Sequence, residues 1–350
     1  MIRFEPRTSV PLALRIGVPL GAVAAALCIS AIPLAAAGAP ILRAFALMAQ
    51  GAAGSVFACT ETLTRATPLI FTGLAAAVAF RARLYNIGAE GQLYAGALAA
   101  VAVGSGGVSA PAFVLVPLIL IVAALAGALL MLGPTVLRVK LGVDEVVTTL
   151  LLNFVVLLFV QMMLEGPFKD PMGGGWPQSA PIETAGSLPV LLARTRLHAG
   201  FLLALVASVV AYVLIARTAF GLAVRAVGEN QAAAGFAGIE VTRVMVLVGV
   251  LSGALAGLAG ASEVAGLKGY LTADMSRGFG YAGIVVAMVA ALAPLAVIPS
   301  AIFIAGIFIG ADTMGRTLGV SSYIADLIVA LALLCVLVSG LFLRFRIRFG

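Results

Sequence analysis

Charged residues are scarce in this sequence. Lys and Arg number 21 and Asp and Glu 14 among 350 residues, so 10% of the chain is charged, whereas a soluble domain carries about 25%. Hydrophobic residues make up 63% and fall into blocks of roughly 20 residues, the length that an α-helix needs to cross a bilayer core. The composition excludes an ordinary soluble domain and predicts an all-α polytopic membrane protein.

Histidine and cysteine are almost absent, which removes most metal and catalytic chemistry. The sole histidine is His198, and the three cysteines, at 28, 59 and 335, lie far apart. No Cys or second His lies near His198 to complete a zinc site, and no paired acid, Ser/His or His/Glu arrangement occurs at one level of the bilayer. We expect no catalytic residue, no metal ligand and no cofactor bound by this chain.

Nucleotide-binding loops are missing as well. The stretch 278–283 matches the GxGxxG pattern, but it opens an apolar block and no acid follows at the required distance. None of the three lysines, Lys140, Lys169 and Lys268, is followed by Ser or Thr as a phosphate-binding loop requires. Transport driven by ATP would therefore need a separate ATPase chain that carries the ATP and magnesium.

The apolar blocks predict about ten transmembrane helices in a single domain, 1–350. The predicted spans are 16–37, 62–80, 88–104, 111–133, 145–164, 198–216, 242–261, 281–298, 300–311 and 323–343. Residues 41–60 are rich in Gly, Ala and Ser and predict an interfacial or partly re-entrant segment. Small residues four apart, Gly253 and Gly257 and then Gly306 and Gly310, predict close contacts between helix backbones.

The distribution of Lys and Arg predicts the orientation in the membrane. Most of the cations, from Arg3 to Arg348, fall on one side when the N-terminus is placed inside. Both termini and the segment 217–241 are then cytoplasmic, and the Pro- and Gly-rich loop 165–197 is extracytoplasmic. The net charge of +7 is spread over these anchors and forms no single basic patch, so no nucleic-acid partner is expected.

The segment 216–243 is too polar to span the membrane and contains signals for a short helix. Gly228, Glu229 and Asn230 predict a turn, with Asn230 as the N-cap of a helix that Gly238 can end. A short amphipathic helix between two spans is suited to docking in a groove of another protein. An ordinary connecting loop would fit the same residues.

This segment resembles the coupling loop of ABC importer permeases of the branched-chain amino acid, ribose and nucleoside superfamily. The matching positions of the Arg-Ala-x-Gly-x-Asn-x-x-Ala-Ala and Gly-Ile pattern are Arg225, Ala226, Gly228, Asn230, Ala233, Ala234, Gly238 and Ile239. Three further stretches, 86–92, 144–153 and 252–260, resemble the guanosine-type nucleoside branch in particular. The resemblance covers most of the chain from about residue 60 to the end.

The resemblance implies a type II-like permease bundle in the bacterial cytoplasmic membrane. Two permease chains, identical or homologous, would form the pathway, two cytosolic ATPases would power it, and an extracytoplasmic binding protein would deliver the solute. The residues then expected to couple the chain to the ATPase are Arg225, Gly228, Glu229, Asn230, Ala233, Ala234 and Gly238.

Polar residues within the spans are candidates to line the pathway. Asn86, Glu90 and Gln92 surround a glycine that predicts a break in the helix at membrane depth, and Asn153 lies within another span. The same amides would serve equally well as hydrogen-bonding groups between helices. A further group, Glu263, Lys268, Asp274 and Arg277, is expected in one outer connection.

Three functions fit the sequence. Import of a nucleoside by an ABC system is the first expectation, and the same machinery carrying a simple sugar or another small polar solute is the alternative. An ion-coupled secondary transporter, with Glu90, Glu263 or Asp326 as the ion site, belongs to another class. The segment 216–243 favours the importer, because a secondary transporter has no ATPase to dock.

Overall fold

The computed structural model describes residues 2–6 and 11–349, and helices dominate the described part. The helices are α1 (Leu12–Ala36), α2 (Ile41–Ala53), α3 (Val56–Arg81), α4 (Ala89–Gly104), α5 (Ala112–Leu141), α6 (Glu145–Glu165), α7 (Gly200–Arg217), α8 (Ala219–Glu229), α9 (Gln231–Phe236), α10 (Val241–Ser262), α11 (Phe279–Val289), α12 (Pro294–Leu318) and α13 (Ser322–Arg344). Two short strands, β1 (Ile2–Pro6) and β2 (Phe345–Phe349), pair antiparallel. The all-α polytopic prediction is confirmed, with this terminal ribbon added to it. The predicted basic anchor Arg7 lies outside the described residues.

Seven helices of the described residues are long and apolar enough to cross a membrane, or eight if the bent pair α1 and α2 counts as one span. The predicted spans 88–104 and 281–298 correspond to α4 and α11, which have 16 and 11 residues. Both are shorter than the roughly 20 residues that a bilayer requires. Together with α1, predicted at 16–37 and apolar enough to span only as part of the bent pair, they account for the difference between the seven long spans and the predicted ten.

The boundary between α11 and α12 lies where hydropathy gives no signal. The chain turns at Ala291 and Leu292, whose φ angles are 49° and 60°, in a stretch that is apolar throughout. Arg81 Nε donates a hydrogen bond of 3.0 Å to the Leu292 carbonyl and holds this turn. Because the turn depends on a residue more than 200 positions away, the local pattern placed the break several residues later.

The chain forms two compact units. The first contains the residues up to Thr62 and those from Ile302 onward, and α1 packs on α13 within it. Helices α1 and α2 meet at an angle of 120°, as a re-entrant or interfacial segment at 41–60 predicts. The predicted close contact of Gly310 is confirmed, because a Cβ there would lie 2.6 Å from the Met48 carbonyl oxygen.

The second unit, Leu63–Ala301, is built around α10, which packs on α4 and α5. A Cβ on Gly253 would overlap the backbone oxygen of Gly127, and one on Gly257 would overlap that of Ala123. Gly260 lies in the same way against the Leu93 carbonyl. The prediction of a small-residue contact at Gly253 and Gly257 is therefore confirmed, since only hydrogen fits between these backbones.

The segment between α6 and α7 is irregular and packs on the end of α10. Helix α10 continues directly into a π-helix, Glu263–Lys268, and the segment bonds to this region through its backbone. Ile182 N donates to the Gly269 carbonyl at 2.7 Å, and Leu188 N to the Ala265 carbonyl at 2.8 Å. The Pro- and Gly-rich loop expected at 165–197 is therefore a packed cover on the π-helix.

His198 lies fully buried beneath this cover. Its Nδ1 accepts a hydrogen bond of 3.2 Å from Gly200 N, its Nε2 has no partner among the described residues, and its ring lies against Gly266. Burial lowers the pKa of His198 to about 4, because the protonated ring is poorly solvated there.

We expect His198 to make the protein less stable in acid. The folded-state pKa of about 4 lies below the unfolded value of 6.5, so the unfolded chain binds the proton first. Stability is then full above about pH 6.5 and falls by up to ~3 kcal/mol as the pH drops toward 4. Thermal unfolding of purified protein at several pH values, with His198→Gln as the non-titrating control, measures this. Identical slopes for the two proteins in this window would contradict it.

Candidate functional site

The connection between α3 and α4 passes through the interior of the second unit. Arg83 adopts a positive φ of 53°, and Leu84 and Asn86 beyond it are fully buried. Gly88 is the N-cap of α4, and a Cβ on it would crowd the Gln92 and Thr149 side chains at 3.0 Å. The helix break predicted around Asn86–Gly88 is thus present as an irregular buried segment.

Asn86 and Gln92 form a closed hydrogen-bonding pair across this break. Asn86 Nδ2 donates to Gln92 Oε1 at 2.8 Å, and Gln92 Nε2 donates back to Asn86 Oδ1 at 3.0 Å. Asn86 Nδ2 also donates to Ser252 Oγ on α10 at 2.9 Å, and that hydroxyl donates to the Ala75 carbonyl on α3 at 2.8 Å. The two amides and the serine join α3, α4 and α10.

Asn153 on α6 holds the other side of the break. Its Oδ1 accepts from Gly91 N at 2.8 Å, and its Nδ2 donates to the Ile87 carbonyl at 3.0 Å. The same Nδ2 donates to the Tyr281 hydroxyl on α11 at 3.1 Å. The Asn153 amide therefore forms hydrogen bonds with one backbone N–H and one backbone carbonyl that the irregular segment would otherwise leave buried and unpaired.

Glu90 ties α4 to α11. Its side chain is only 3% exposed, and its Oε2 accepts a hydrogen bond of 2.6 Å from Gly280 N. One turn further along α4, the Tyr94 hydroxyl donates to the Ala273 carbonyl at 2.7 Å and accepts from Ser276 N at 3.0 Å. Gly280 lies directly against the Glu90 backbone, where a Cβ would overlap the Glu90 amide nitrogen.

The structure thus brings the four candidate pathway residues together at the start of α4. Each is buried and hydrogen-bonded to another helix or to the broken backbone. Sequence reasoning missed their partners Ser252 and Tyr281, and also Thr149, whose hydroxyl accepts from Ile87 N in the broken segment. A lone hydroxyl within an apolar span gives no pattern. Of these, Tyr281 is 38% exposed and reaches the surface of the described chain.

We expect Asn153 to act by positioning the broken segment. Replacing it with Ala leaves Gly91 N and the Ile87 carbonyl unpaired, which costs about 1–3 kcal/mol. Thermal unfolding should show a lowered melting temperature together with reduced transport. Gln161→Ala is the matched control, because Gln161 is an exposed amide on the same helix whose Nε2 bonds only to Glu165. An unchanged melting temperature with lost transport would instead make Asn153 a solute contact.

The second candidate region is the helical pair α8 and α9, which occupies the segment 217–241. Val224, Val227 and Gly228 form the buried face of α8. A Cβ on Gly228 would overlap the Arg81 carbonyl oxygen, and the Arg225 guanidinium donates to the Ile215 carbonyl. Within the second unit, Gly228 therefore holds α8 against the end of α3, and Arg225 holds it against α7.

Helix α9 is the exposed part of this pair. Asn230 is its N-cap, with Oδ1 accepting from Ala233 N at 3.0 Å, and Gly238 follows the helix with a φ of 84°. Ala234 alone is buried, whereas Phe236 is 98% exposed. The coupling residues predicted from sequence divide into a buried group and an exposed group. The buried or half-buried ones are Arg225, Gly228 and Ala234, and the exposed ones are Glu229, Asn230, Ala233 and Gly238.

The start of α6 lies close to the break between α3 and α4. Asp144 caps the helix by accepting from Val146 N at 2.8 Å. Glu145 pairs with Arg138 at 3.1 Å and accepts from Tyr85 N at 3.3 Å. Asp144 is thus the N-cap of α6. Glu145, in contrast, is 4% exposed and ties α5 and α6 to the broken segment.

Glu263 corrects one expectation. The sequence placed it with Lys268, Asp274 and Arg277 in an outer connection, but it is fully buried at the start of the π-helix. Both of its carboxylate oxygens lack a hydrogen-bond partner among the described residues. The hydrophobic pattern of α10 ends near residue 261. The sequence therefore gives no sign that the chain stays helical for another turn or that this turn is buried. Within the described residues, no group of three or more His, Cys, Asp or Glu could hold a metal ion.

The sequence was compared with families and proteins of known function. Residues 58–337 match the family described as branched-chain amino acid transport system / permease component. The glucose ABC transporter permease protein of Haloferax volcanii is 36% identical over 99% of this chain and 93% of its own length. The guanosine ABC transporter permease protein of Bacillus subtilis is 34% identical over 91% of this chain and 92% of its own.

A nucleoside ABC transporter permease protein of Lactococcus lactis is 30% identical over 85% of this chain and 84% of its own length. No solved structure matches the chain. The relatives therefore include permeases named for a sugar and for nucleosides, over nearly the whole sequence.

Proposed function

The chain belongs to the branched-chain amino acid transport system / permease component family of ABC permeases, and we propose on that premise that it forms the translocation pathway of a nucleoside importer. It is a multi-pass protein of the inner membrane and a transport component. The proposal assigns ATP hydrolysis, with its magnesium, to a separate cytosolic ATPase chain. A second permease chain and an extracytoplasmic binding protein complete the assembly.

The observation that carries the ATPase partnership is the pair α8 and α9. Helix α9 presents Phe236 almost entirely to solvent next to the capped turn at Asn230. An exposed aromatic at the tip of a short, well-capped helix is the kind of anchor that fills a pocket of a partner. Because α8 is fixed through Gly228 and Arg225, a force on α9 would be transmitted to the spans on either side of it.

The orientation follows the same assignment. An ATPase-facing α9 is cytoplasmic, and the covered π-helix at the other end of α10 is then extracytoplasmic. Pairing of β1 with β2 supports placing both ends of the chain on one side of the membrane, and the distribution of Lys and Arg favours the cytoplasm. The cover between α6 and α7 is then the surface that meets the binding protein.

Nucleosides are the proposed cargo, because two of the relatives reported above carry guanosine or nucleoside in their names and the stretches 86–92, 144–153 and 252–260 resemble that branch. Glucose is the second candidate, supported by the Haloferax volcanii relative, which covers 99% of this chain. Guanosine and glucose are both neutral and both carry hydroxyl groups on adjacent carbons. A pathway for either must offer hydrogen bonds without a compensating charge.

The four residues Asn86, Glu90, Gln92 and Asn153 stay proposed as pathway residues. They surround an irregular segment, and such segments occur at membrane depth where they are buried in protein or line a water-filled cavity. The half-exposed Tyr281 joins them, because its hydroxyl bonds to Asn153. Aromatic rings stack readily on nucleobases.

Uptake measurements test the proposal. Cells that lack this chain are supplied with labelled guanosine or labelled glucose, with and without a plasmid that restores the chain. We expect guanosine uptake to require the chain and to be competed by unlabelled guanosine more strongly than by glucose. Guanosine uptake that is unchanged by the deletion overturns the nucleoside assignment, and chain-dependent uptake of glucose alone replaces it with the sugar.

A further inference from the structure

Every buried polar side-chain atom without a partner in the described part of the chain lies at one end of α10. These atoms are the two carboxylate oxygens of Glu263, Nε2 of His198 and Oγ1 of Thr272. Glu263 begins the π-helix, His198 lies against Gly266 of that helix, and Thr272 follows it by four residues. Elsewhere in the described residues, buried side-chain nitrogen and oxygen atoms have hydrogen-bond partners, as proteins generally require.

Glu263 is the most costly of the three groups to leave unpaired. Its exposure is 0%, and a buried carboxylate without hydrogen bonds is strongly disfavoured. It lies on a π-helix, an irregular helical form that is common at functional sites. It also lies close enough to Tyr94 on α4 to act on that hydroxyl electrostatically. The π-helix that carries Glu263 packs on α4, the helix that begins at the break.

The surrounding charges decide which ligand suits this carboxylate. Three cationic side chains act on it electrostatically: Arg65 on α3, Lys268 on the π-helix and Arg196 in the cover. Arg65 is itself stacked over the Phe279 ring at 5.2 Å. A cationic ligand would be repelled by these three groups, whereas a neutral donor would not. A carboxylate has two acceptor oxygens, which match two hydroxyl groups on adjacent carbons.

We propose that Glu263 is a recognition residue for the vicinal hydroxyl groups of the transported solute. The inference rests on the proposed function, and it names the part of the solute that this chain recognises. The ribose of a nucleoside and the ring of glucose both present this group, so one carboxylate would serve either cargo.

The experiment compares guanosine with 2′,3′-dideoxyguanosine, which lacks both hydroxyls. Uptake of each labelled compound is measured in cells that carry the complete transporter with the wild-type chain or with Glu263→Gln, which has nearly the same size but only one acceptor oxygen. We expect the wild type to prefer guanosine by about tenfold or more. In the Glu263→Gln variant, the ratio of guanosine uptake to dideoxyguanosine uptake should fall to about twofold, mainly because guanosine is imported more slowly.

The binding protein is the same in both strains, so a change in the ratio belongs to this chain. Glu183→Gln is the matched control, because Glu183 is an exposed carboxylate in the cover, and it should leave the ratio unchanged. Glu263→Asp, which restores a carboxylate, should recover part of the preference. The melting temperature of Glu263→Gln should not fall, because the change removes a buried carboxylate that has no hydrogen bond among the described residues.

The outcomes separate the inference from the function it rests on. Wild-type cells that import neither guanosine nor glucose overturn the proposed function, and this inference with it. Wild-type uptake with an unchanged ratio in Glu263→Gln overturns the inference alone. Equal loss of both solutes together with a lower melting temperature also overturns it, since Glu263 would then serve only the fold. If glucose is the cargo, 2-deoxyglucose and 3-deoxyglucose replace the dideoxynucleoside.

Discussion

Replacing Phe236 with Ala is expected to abolish transport while leaving the chain folded and in the membrane. Phe236 is 98% exposed, so its removal takes nothing from the packing of the permease itself. An aromatic anchor in a partner pocket contributes about 2 kcal/mol or more, which corresponds to roughly 30-fold in affinity. Guanosine uptake should fall below a tenth of the wild-type rate, and the amount of ATPase that copurifies with the chain should also fall.

The control for this prediction is Phe159→Ala. Phe159 is an exposed phenyl group on α6, within a predicted membrane span, and the same truncation there should leave ATPase copurification intact. Normal uptake and normal copurification in Phe236→Ala would mean that α9 is a connecting loop. Gly228→Glu would be a poor test of the same idea, because Gly228 lies against the Arg81 backbone and the variant would disturb folding first.

Replacing Gly127 with Ala is expected to destabilise the helix packing severely. A Cβ on Gly127 would overlap the backbone of Gly253 and Gly257 on α10. Backbone cannot rotate aside as a side chain can, so α5 and α10 would have to separate. We expect a loss of about 3 kcal/mol, a much lower melting temperature in detergent and little protein in the membrane.

Gly133→Ala provides the matched control on the same helix. Nothing lies within 4 Å of a Cβ at Gly133, so the change should raise stability by about 1 kcal/mol through helix propensity alone. Equal melting temperatures for the two variants would mean that the α5–α10 contact is looser than the structure shows.

Periodicity and composition were sufficient to predict most of the fold. The length and apolarity of the spans predicted a helical membrane protein, and the spacing of Gly253 and Gly257 predicted where backbones meet. Asn230 and Gly238 predicted both ends of α9, because capping depends on a few neighbouring residues. These features are local, so a single sequence carries them.

Features that depend on distant residues could not be predicted. The turn at Ala291 and Leu292 is held by Arg81, and an apolar stretch gives no sign of it. The burial of Glu263 follows from a π-helix and from a cover that begins about a hundred residues earlier. At the candidate site the sequence predicted the polar residues of α4 and α6 but not their partners Ser252 and Tyr281.

The exposure of Phe236 was missed for a different reason. In a chain that is 63% hydrophobic, one more phenylalanine carries no signal, and only the short, capped α9 shows that it lies outside the packed helices. The residues predicted to couple the chain to the ATPase were the polar and small ones of this segment, although several of them cap or pack its helices. Residue type alone does not distinguish the residues that position such a helix from those that would contact a partner.

Uptake into proteoliposomes measures directly whether this chain imports a nucleoside at the expense of ATP. The purified permease is reconstituted with its ATPase inside the vesicles and its binding protein outside, with labelled guanosine. We expect guanosine to accumulate only when ATP is present inside the vesicles, and we expect this accumulation to be lost with Phe236→Ala. Accumulation by the permease alone, driven by a proton or sodium gradient and indifferent to ATP, would contradict it and identify an ion-coupled transporter.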